Sequence, residues 1–189
     1  MAIPYFHTVI FAAWFAWLIF WAVSAINIKR AVRQESAASK AAHLLPLALA
    51  ALLLWVPVPI VMNLAFLPVT APFAWAGVVV TLTGLLFSIW ARHYLDKNWS
   101  GNVTVKHGHE LITDGPYRLV RHPIYTGLIF AFLGSAIIQA QWRGLIAVLI
   151  VYVAFWRKLL HEERWMLETF GTRYAAYKSR VPALIPFLR

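Results

Sequence analysis

The residues best suited to chemistry lie in the second half of the chain. Leu111-Ile112-Thr113-Asp114-Gly115-Pro116-Tyr117-Arg118-Leu119-Val120-Arg121-His122-Pro123-Ile124-Tyr125-Thr126-Gly127 is a polar, turn-rich run that leads straight into an apolar helix. Lipid packing alone does not call for a loop so dense in His, Tyr and Arg. Pro123 suits the first turn of the following helix, whose N-terminal amides and positive dipole end can receive an anionic group beside His122. A second group follows the last apolar span, where Glu162 and Glu163 sit close to hydrocarbon. Carboxylates there need either a cationic partner, with Arg157, Lys158 and Arg164 at helical spacing, or a ligand. His107-Gly108-His109 and His161-Glu162-Glu163 supply metal-ligand types, but no HExxH-like spacing joins them, and the reading carries no metal site. Gly-rich phosphate loops and a GxSxG elbow are absent from the sequence, as is cysteine.

The elements that position these groups are membrane spans. Hydrophobic residues make up 61% of the 189 and charged residues 13%, more apolar surface than a soluble domain of this size requires. A hydrocarbon core of about 30 Å asks for about 20 apolar helical residues. Five segments qualify, roughly 6 to 28, 44 to 63, 70 to 95, 124 to 140 and 143 to 158, the last two being short. The first is too long and too rich in Trp (Trp14, Trp17, Trp21) for a cleavable signal and is expected to stay. Pro57 and Pro59 within the second span predict a kink whose freed carbonyls need partners. Beyond the fifth, Met166, Phe170, Tyr174 and Tyr177 recur at helical spacing, predicting an amphipathic helix on the membrane surface, or a pair broken at Gly171. The expected architecture is therefore an all-α integral membrane protein of five transmembrane helices plus a cytoplasmic loop and a carboxy-terminal amphipathic segment. It forms a single domain over 1–189, with a three-helix scaffold over 1–95 and a chemically active region over 96–189.

The second-half motifs also resemble a known family. His109 through Tyr125, with Gly-Pro-Tyr, Arg-His-Pro and Tyr-Thr-Gly, then Glu162-Glu163, Phe170-Gly171-x-x-Tyr174-x-x-Tyr177 and Val181-Pro182, resemble the isoprenylcysteine carboxyl methyltransferases, which are integral membrane enzymes. The likeness covers roughly residues 98 to 189, and the first three spans match only in being apolar. It implies that S-adenosylmethionine is the cofactor, bound at the cytoplasmic side of the last two spans, and that a lipophilic acceptor enters from the bilayer. Carried over by position, the family's cofactor contacts fall on Thr104, His109, Glu110, Leu111, Ile112, Tyr117, His122, Pro123, Ile124, Tyr125 and Glu162. An arginine that handles the substrate carboxylate in the family aligns with Lys158, with Arg157 one residue earlier; lysine lacks the bidentate fork. No acid-base triad is expected, because methyl transfer from a sulfonium depends chiefly on positioning and exclusion of water. Phospholipid amine methyltransferases are the nearest alternative. Membrane sterol reductases share the Arg-His-Pro-x-Tyr run and use NADPH, but carry an arginine-aspartate cluster where this chain has Glu162-Glu163. A non-enzymatic membrane protein is expected to carry ionisable residues within its spans, and these spans have almost none.

Charge sets the orientation. Of 17 Lys and Arg residues, all except Arg143 flank the same ends of the five segments, as do the seven acidic ones. The positive-inside bias makes that face cytoplasmic, with the N-terminus external and the C-terminus cytoplasmic. The membrane is expected to be the plasma membrane of a prokaryote. The formal charge of +10 is spread over three juxtamembrane segments and is read as attraction to lipid headgroups rather than to nucleic acid. A reporter fused after Arg189 should accordingly be cytoplasmic and a tag before Pro4 external; the opposite labelling in intact cells would refute this orientation.

Overall fold

The computed structural model describes residues 3–26, 31–56, 63–96, 104–106 and 110–186. Six α-helices dominate: α1 (Ile3–Ser24), α2 (Ala37–Trp55), α3 (Ala71–Leu95), α4 (Pro123–Gln139), α5 (Trp142–Phe170) and α6 (Thr172–Arg180), with a 3-10 turn at Gly115–Arg118 ahead of α4. α1, α2, α3 and α5 are long and apolar enough to cross a membrane, while α4 is a shorter apolar helix of 17 residues. At 1.5 Å per residue α4 measures about 25 Å, somewhat less than a hydrocarbon core. Most of α4 is buried by its neighbours, so lipid matching bears on it less than on the outer helices.

Successive helices run in alternate directions. One end of the bundle gathers the C-termini of α1, α3 and α5 with the N-termini of α2 and α4. Arg92 of α3 donates to the carbonyl of Ser24 at the end of α1, Arg157 of α5 to that of Ser39 at the start of α2 (3.4 Å), and Tyr117 to that of Ala91 (3.4 Å). At the opposite end Phe66 N–H donates to Ala140 O (2.8 Å) and Trp142 N–H to Leu64 O (3.2 Å).

α3 and α4 form the tightest pair. Gly77, Thr81, Gly84 and Ser88 make one stripe of α3, and Gly127, Ala131, Gly134 and Ile138 the facing stripe of α4. A Cβ built on Gly84 would lie 2.4 Å from the Gly127 carbonyl oxygen, and one on Gly127 would lie 2.5 Å from that of Gly84. The two backbones therefore touch, as small residues allow between apolar helices in lipid. α1 covers this pair, with Trp14 donating its indole N–H to Ser135 Oγ (3.0 Å) and Trp17 to Ser88 Oγ (2.8 Å). Those bonds satisfy polar groups that hydrocarbon cannot.

Several boundaries differ from the sequence expectation. α2 begins at Ala37, where the Ser36 hydroxyl accepts from the Ser39 N–H (3.2 Å), contains Pro46, and ends at Trp55. Pro57 and Pro59 lie outside the described residues, yet the consequence of Pro57 is visible. A proline at 57 cannot donate to the carbonyl of Leu53. Arg143 Nη1 does so instead (3.0 Å) and also reaches Val56 O (2.6 Å), while Gln139 donates to Leu54 O (2.7 Å). That is the task of the basic residue standing apart from all the others. α5 does not stop at 158: it continues unbroken through both glutamates to Phe170, about 43 Å in all, because no breaker precedes Gly171. Gly171 has φ +52°, ψ −124°, and separates α5 from α6 as the broken-pair alternative expected. An all-α architecture also omits a short antiparallel ribbon. Strands β1 (Ala31–Gln34) and β2 (Thr104–Lys106) pair Arg33 with Val105 and Gln34 with Thr104, joining the α1–α2 connection to the loop after α3. Strands of four and three residues leave no period in the sequence to detect.

Gly84→Ala should therefore lower the thermal midpoint in detergent markedly, since overpacking against immovable backbone typically costs about 1–3 kcal/mol. Val79→Leu on the lipid-facing side of the same helix, where Val79 is 60% exposed, should change it little. Equal shifts would place the α3–α4 contact elsewhere.

Candidate functional site

The polar site is built where α5 leaves the bundle, and its centre is Glu163. This side chain is buried, and its Oε1 accepts from Arg121 Nε (2.8 Å) and Nη2 (2.7 Å), while Lys178 Nζ stands 2.7 Å from Oε2. His122 Nε2 is 3.2 Å from Oε1. A carboxylate this enclosed requires such neutralisation. The partners come from the loop before α4 and from α6 rather than from Arg157, Lys158 or Arg164, which spacing along α5 had suggested. Three segments thus meet on one charge.

Arg121 does more than pair. Its Nη1 donates to the carbonyls of Lys178 (3.2 Å) and Val181, closing the C-terminal end of α6. The chain after α6 then lies against the loop: Arg121 N–H donates to Pro182 O (2.8 Å), His122 N–H to Ala183 O (3.0 Å) and Thr126 Oγ1 to Leu184 O (2.7 Å). Tyr177 Oη donates to the Tyr117 carbonyl (2.7 Å), completing the clamp. Burial pushes the Tyr117 and Tyr177 phenols above their ordinary range, so both remain donors at neutral pH. Gly115, at φ +57°, lets the Asp-Gly-Pro turn lie directly on the Tyr94 ring at the end of α3.

Glu162 is placed differently. Its side chain remains partly open at 23% exposure; Oε1 accepts from Tyr125 Oη (2.6 Å), with Lys158 Nζ 3.9 Å away and His122 Nδ1 3.6 Å from Oε2. The Tyr125 ring lies parallel to His122 (centroids 5.5 Å, 2°) and to Phe155 of α5 (4.6 Å, 9°), and Lys158 Nζ stands 5.4 Å from its centroid. His122, Tyr125, Lys158 and Glu162 therefore form one constellation at the start of α4, a helix with no side-chain N-cap. One residue before Glu162 on α5, His161 packs against Trp165 (centroids 5.1 Å), its Nε2 buried with no hydrogen-bond partner.

The other sequence-predicted positions surround this centre unevenly. Pro123 and Ile124 are buried in the first turn of α4, and Tyr117 in the 3-10 turn. Leu111 and Ile112 are half-buried, Glu110 is exposed, and Arg157 is exposed near Ser39. Thr104 belongs to β2, its backbone opposite Gln34; its side chain and all of His109 lie outside the described residues. Among the described residues no group of three or more His, Cys, Asp or Glu has metal-binding geometry. Two residues of the first half were missed. His43 of α2 is 1% exposed and lies 3.6 Å from Glu35, and Lys158, Glu162 and Arg157 of α5 act on its imidazole electrostatically. The signal was there in Glu35, Ser39 and His43, spaced four apart across the start of an otherwise apolar helix.

An apolar bundle with its ion cluster confined to one end defines an integral multi-pass membrane protein. Residues 72–173 match the family model described as phospholipid methyltransferase, and the chain belongs to that family. Among curated relatives it is 32% identical over 81 residues to protein-S-isoprenylcysteine O-methyltransferase B of Arabidopsis thaliana, covering 42% of this chain and 41% of the relative. It is 33% identical over 143 residues to methanethiol S-methyltransferase 1 of Bradyrhizobium diazoefficiens, covering 71% and 49%. The Schizosaccharomyces pombe protein-S-isoprenylcysteine O-methyltransferase is 33% identical over 81 residues, 42% of this chain and 34% of that one. The chain thus spans half or less of these relatives' lengths. The resemblance to isoprenylcysteine carboxyl methyltransferases read from residues 98 to 189 is borne out by these matches.

Removal of Glu163 leaves Arg121 buried without its counter-charge, and breaking such a pair typically costs about 3–5 kcal/mol. Glu163→Ala should lower the thermal midpoint strongly and speed proteolysis after Arg173 and Lys178 as the clamp opens. Glu168→Ala, at an exposed position of the same helix, should do neither. Matching behaviour of the two variants would remove Glu163 from the centre of the fold's polar end.

Proposed function

We propose that this protein is an integral membrane methyltransferase that carries a methyl group from S-adenosylmethionine to a lipophilic acceptor. The observation that carries the reading is the half-open Glu162 carboxylate, hydrogen-bonded to Tyr125 beside an uncapped helix start, while the neighbouring Glu163 is fully engaged in structure. The constellation fits the cofactor. A carboxylate with spare acceptor capacity suits hydroxyl or ammonium donors, the start of α4 suits a carboxylate, and the unpartnered His161 Nε2 is a further polar contact at the same level. When bound, S-adenosylmethionine supplies an electrophilic methyl group on a sulfonium.

The residues of this chain then bind and orient. Glu162, held by Tyr125, grips the donor's polar groups; His122, Pro123, Ile124 and Tyr125 form the wall at the start of α4. Thr104, His109, Glu110, Leu111, Ile112 and Tyr117 complete the cofactor side from the loop. Lys158 and Arg157 face the acceptor, their long side chains reaching its polar head while its tail stays in the bilayer. The acceptor is a carboxylate, thiol or amine of lipophilic character: relatives bear names that specify isoprenylcysteine and methanethiol. Positioning of the two reactants between α4 and α5 supplies much of the rate. In this reading α4 crosses the bilayer as a fifth, shielded span, and residues 1–95 form a three-helix scaffold for the cofactor site of the catalytic region, 96–189. The C-terminus and the site are cytoplasmic, in a prokaryotic plasma membrane.

Calorimetric titration of the purified protein should show S-adenosylmethionine binding and no NADPH binding; the reverse would overturn the proposal. Glu162→Gln should weaken cofactor binding by roughly one to two decades, since a hydrogen bond to a charged group contributes about 1.5–3 kcal/mol. Glu168→Gln should leave affinity nearly unchanged. Equal losses would move the cofactor away from Glu162.

A further inference from the structure

His43 has no role in the polar end described so far. It projects from the first turns of α2 toward α5, is 1% exposed, and neither ring nitrogen has a hydrogen-bond partner. Leaving both nitrogens of a buried imidazole unpaired is costly, so such a group calls for an explanation. The nearest acid is Glu35, whose Oε2 accepts from Ser39 Oγ (2.8 Å) and whose Oε1 lies 3.6 Å from His43 Nε2. The Glu35 side chain is itself only 1% exposed. From α5, Lys158, Glu162 and Arg157 complete the charges acting on the imidazole. The arrangement has the parts of a proton acceptor: an imidazole with both nitrogens unpaired, a carboxylate 3.6 Å away to balance the charge once a proton is taken up, and lysine and arginine able to stabilise an anion nearby. A carboxylate acceptor would make no use of it, being ionised already.

We infer that His43, supported by Glu35, is the general base for an acceptor whose nucleophilic atom carries a proton, specifically a thiol; this rests on the methyltransferase reading above. The S–H proton passes to an imidazole nitrogen of His43. The sulfur lone pair forms the new S–CH3 bond as the methyl–sulfonium bond breaks, and the electron pair of that bond returns to the departing sulfur, leaving a neutral thioether. The imidazolium, stabilised by Glu35, then releases its proton to solvent. Lys158 steadies the developing thiolate, which needs a point charge and no bidentate fork.

The test compares an alkanethiol, protonated at neutral pH, with an aryl thiol that is largely ionised there, using the full chain in lipid nanodiscs with S-adenosylmethionine. His43→Gln should lower kcat/KM for the alkanethiol at pH 7 by about 100-fold or more, the range of general-base catalysis. The loss should shrink as pH rises toward the thiol's own ionisation and be far smaller for the aryl thiol, with cofactor affinity unchanged. Glu35→Gln, a milder change, should shift the same pH profile in the same direction. A loss equal for both thiols and independent of pH, or no loss, overturns the assignment of His43 alone. Wild-type protein that binds S-adenosylmethionine but methylates neither thiol overturns the thiol assignment and leaves the cofactor reading standing. Failure of the wild-type protein to bind S-adenosylmethionine overturns both.

Discussion

The polar end of this protein depends on keeping one buried carboxylate charged. Glu163 sits on a helix that has just left an apolar bundle, and an isolated carboxylate there would be severely destabilised. Its counter-charges are drawn from distant parts of the chain: Arg121 from the loop before α4 and Lys178 from α6. Meeting that requirement folds the C-terminal segment back over the loop, since the same Arg121 holds the last carbonyls of α6 and its neighbours pair with Pro182 and Ala183. The clamp and the ion pair are one structure. Tyr117 and Leu184 bury apolar surface in the core on either side of it, and the charge supplies the register.

A second constraint sets the depth at which this happens. The glycine contact between α3 and α4 leaves no room for sliding, because the 2.4 Å and 2.5 Å reaches between Gly84 and Gly127 are to backbone. With α4 so fixed, the turn that leads into the Arg-His-Pro run lies where α3 ends, Gly115 against Tyr94 and Tyr117 against Ala91. His122 and Tyr125 then fall on the same level as Glu162. Van der Waals packing inside the bilayer thereby fixes polar geometry outside it.

Much of this was legible in the sequence, and what was not has physical causes. The apolar runs located the helices, Pro123 opened α4, Gly171 closed α5, and the Arg-His-Pro and Glu-Glu runs marked the polar end. Local spacing failed where partners are remote. It suggested Arg157, Lys158 or Arg164 for the acidic pair: Lys158 does stand 3.9 Å from Glu162, one helical turn away, whereas Glu163 took Arg121 and Lys178, 42 residues before it and 15 after. Arg143 looked like a lone charge on the wrong face, yet it caps the carbonyls that Pro57 and the end of α2 leave open. The ribbon between β1 and β2 is too short to leave a pattern, and it joins Gln34, next to Glu35, to Thr104 of the loop. The buried pair of Glu35 and His43 left little trace for the same reason: the α5 charges that act on His43 lie over a hundred residues away.

Two adjacent glutamates divide the labour because a helix turns by about 100° per residue. On α5 that rotation sends Glu163 inward to Arg121 and Glu162 sideways to Tyr125, so neighbours in sequence face different environments. The inward carboxylate has every oxygen committed to cations of the fold. The sideways one has a phenol as its close donor and keeps part of its surface open. His122 stands between them, one ring nitrogen toward each carboxylate, and Tyr125 stacks on its face. Rigidity from Glu163 is in this way passed through a single imidazole to the constellation around Glu162. The enclosed carboxylate and the partly open one are thus successive residues of one helix, joined by one ring.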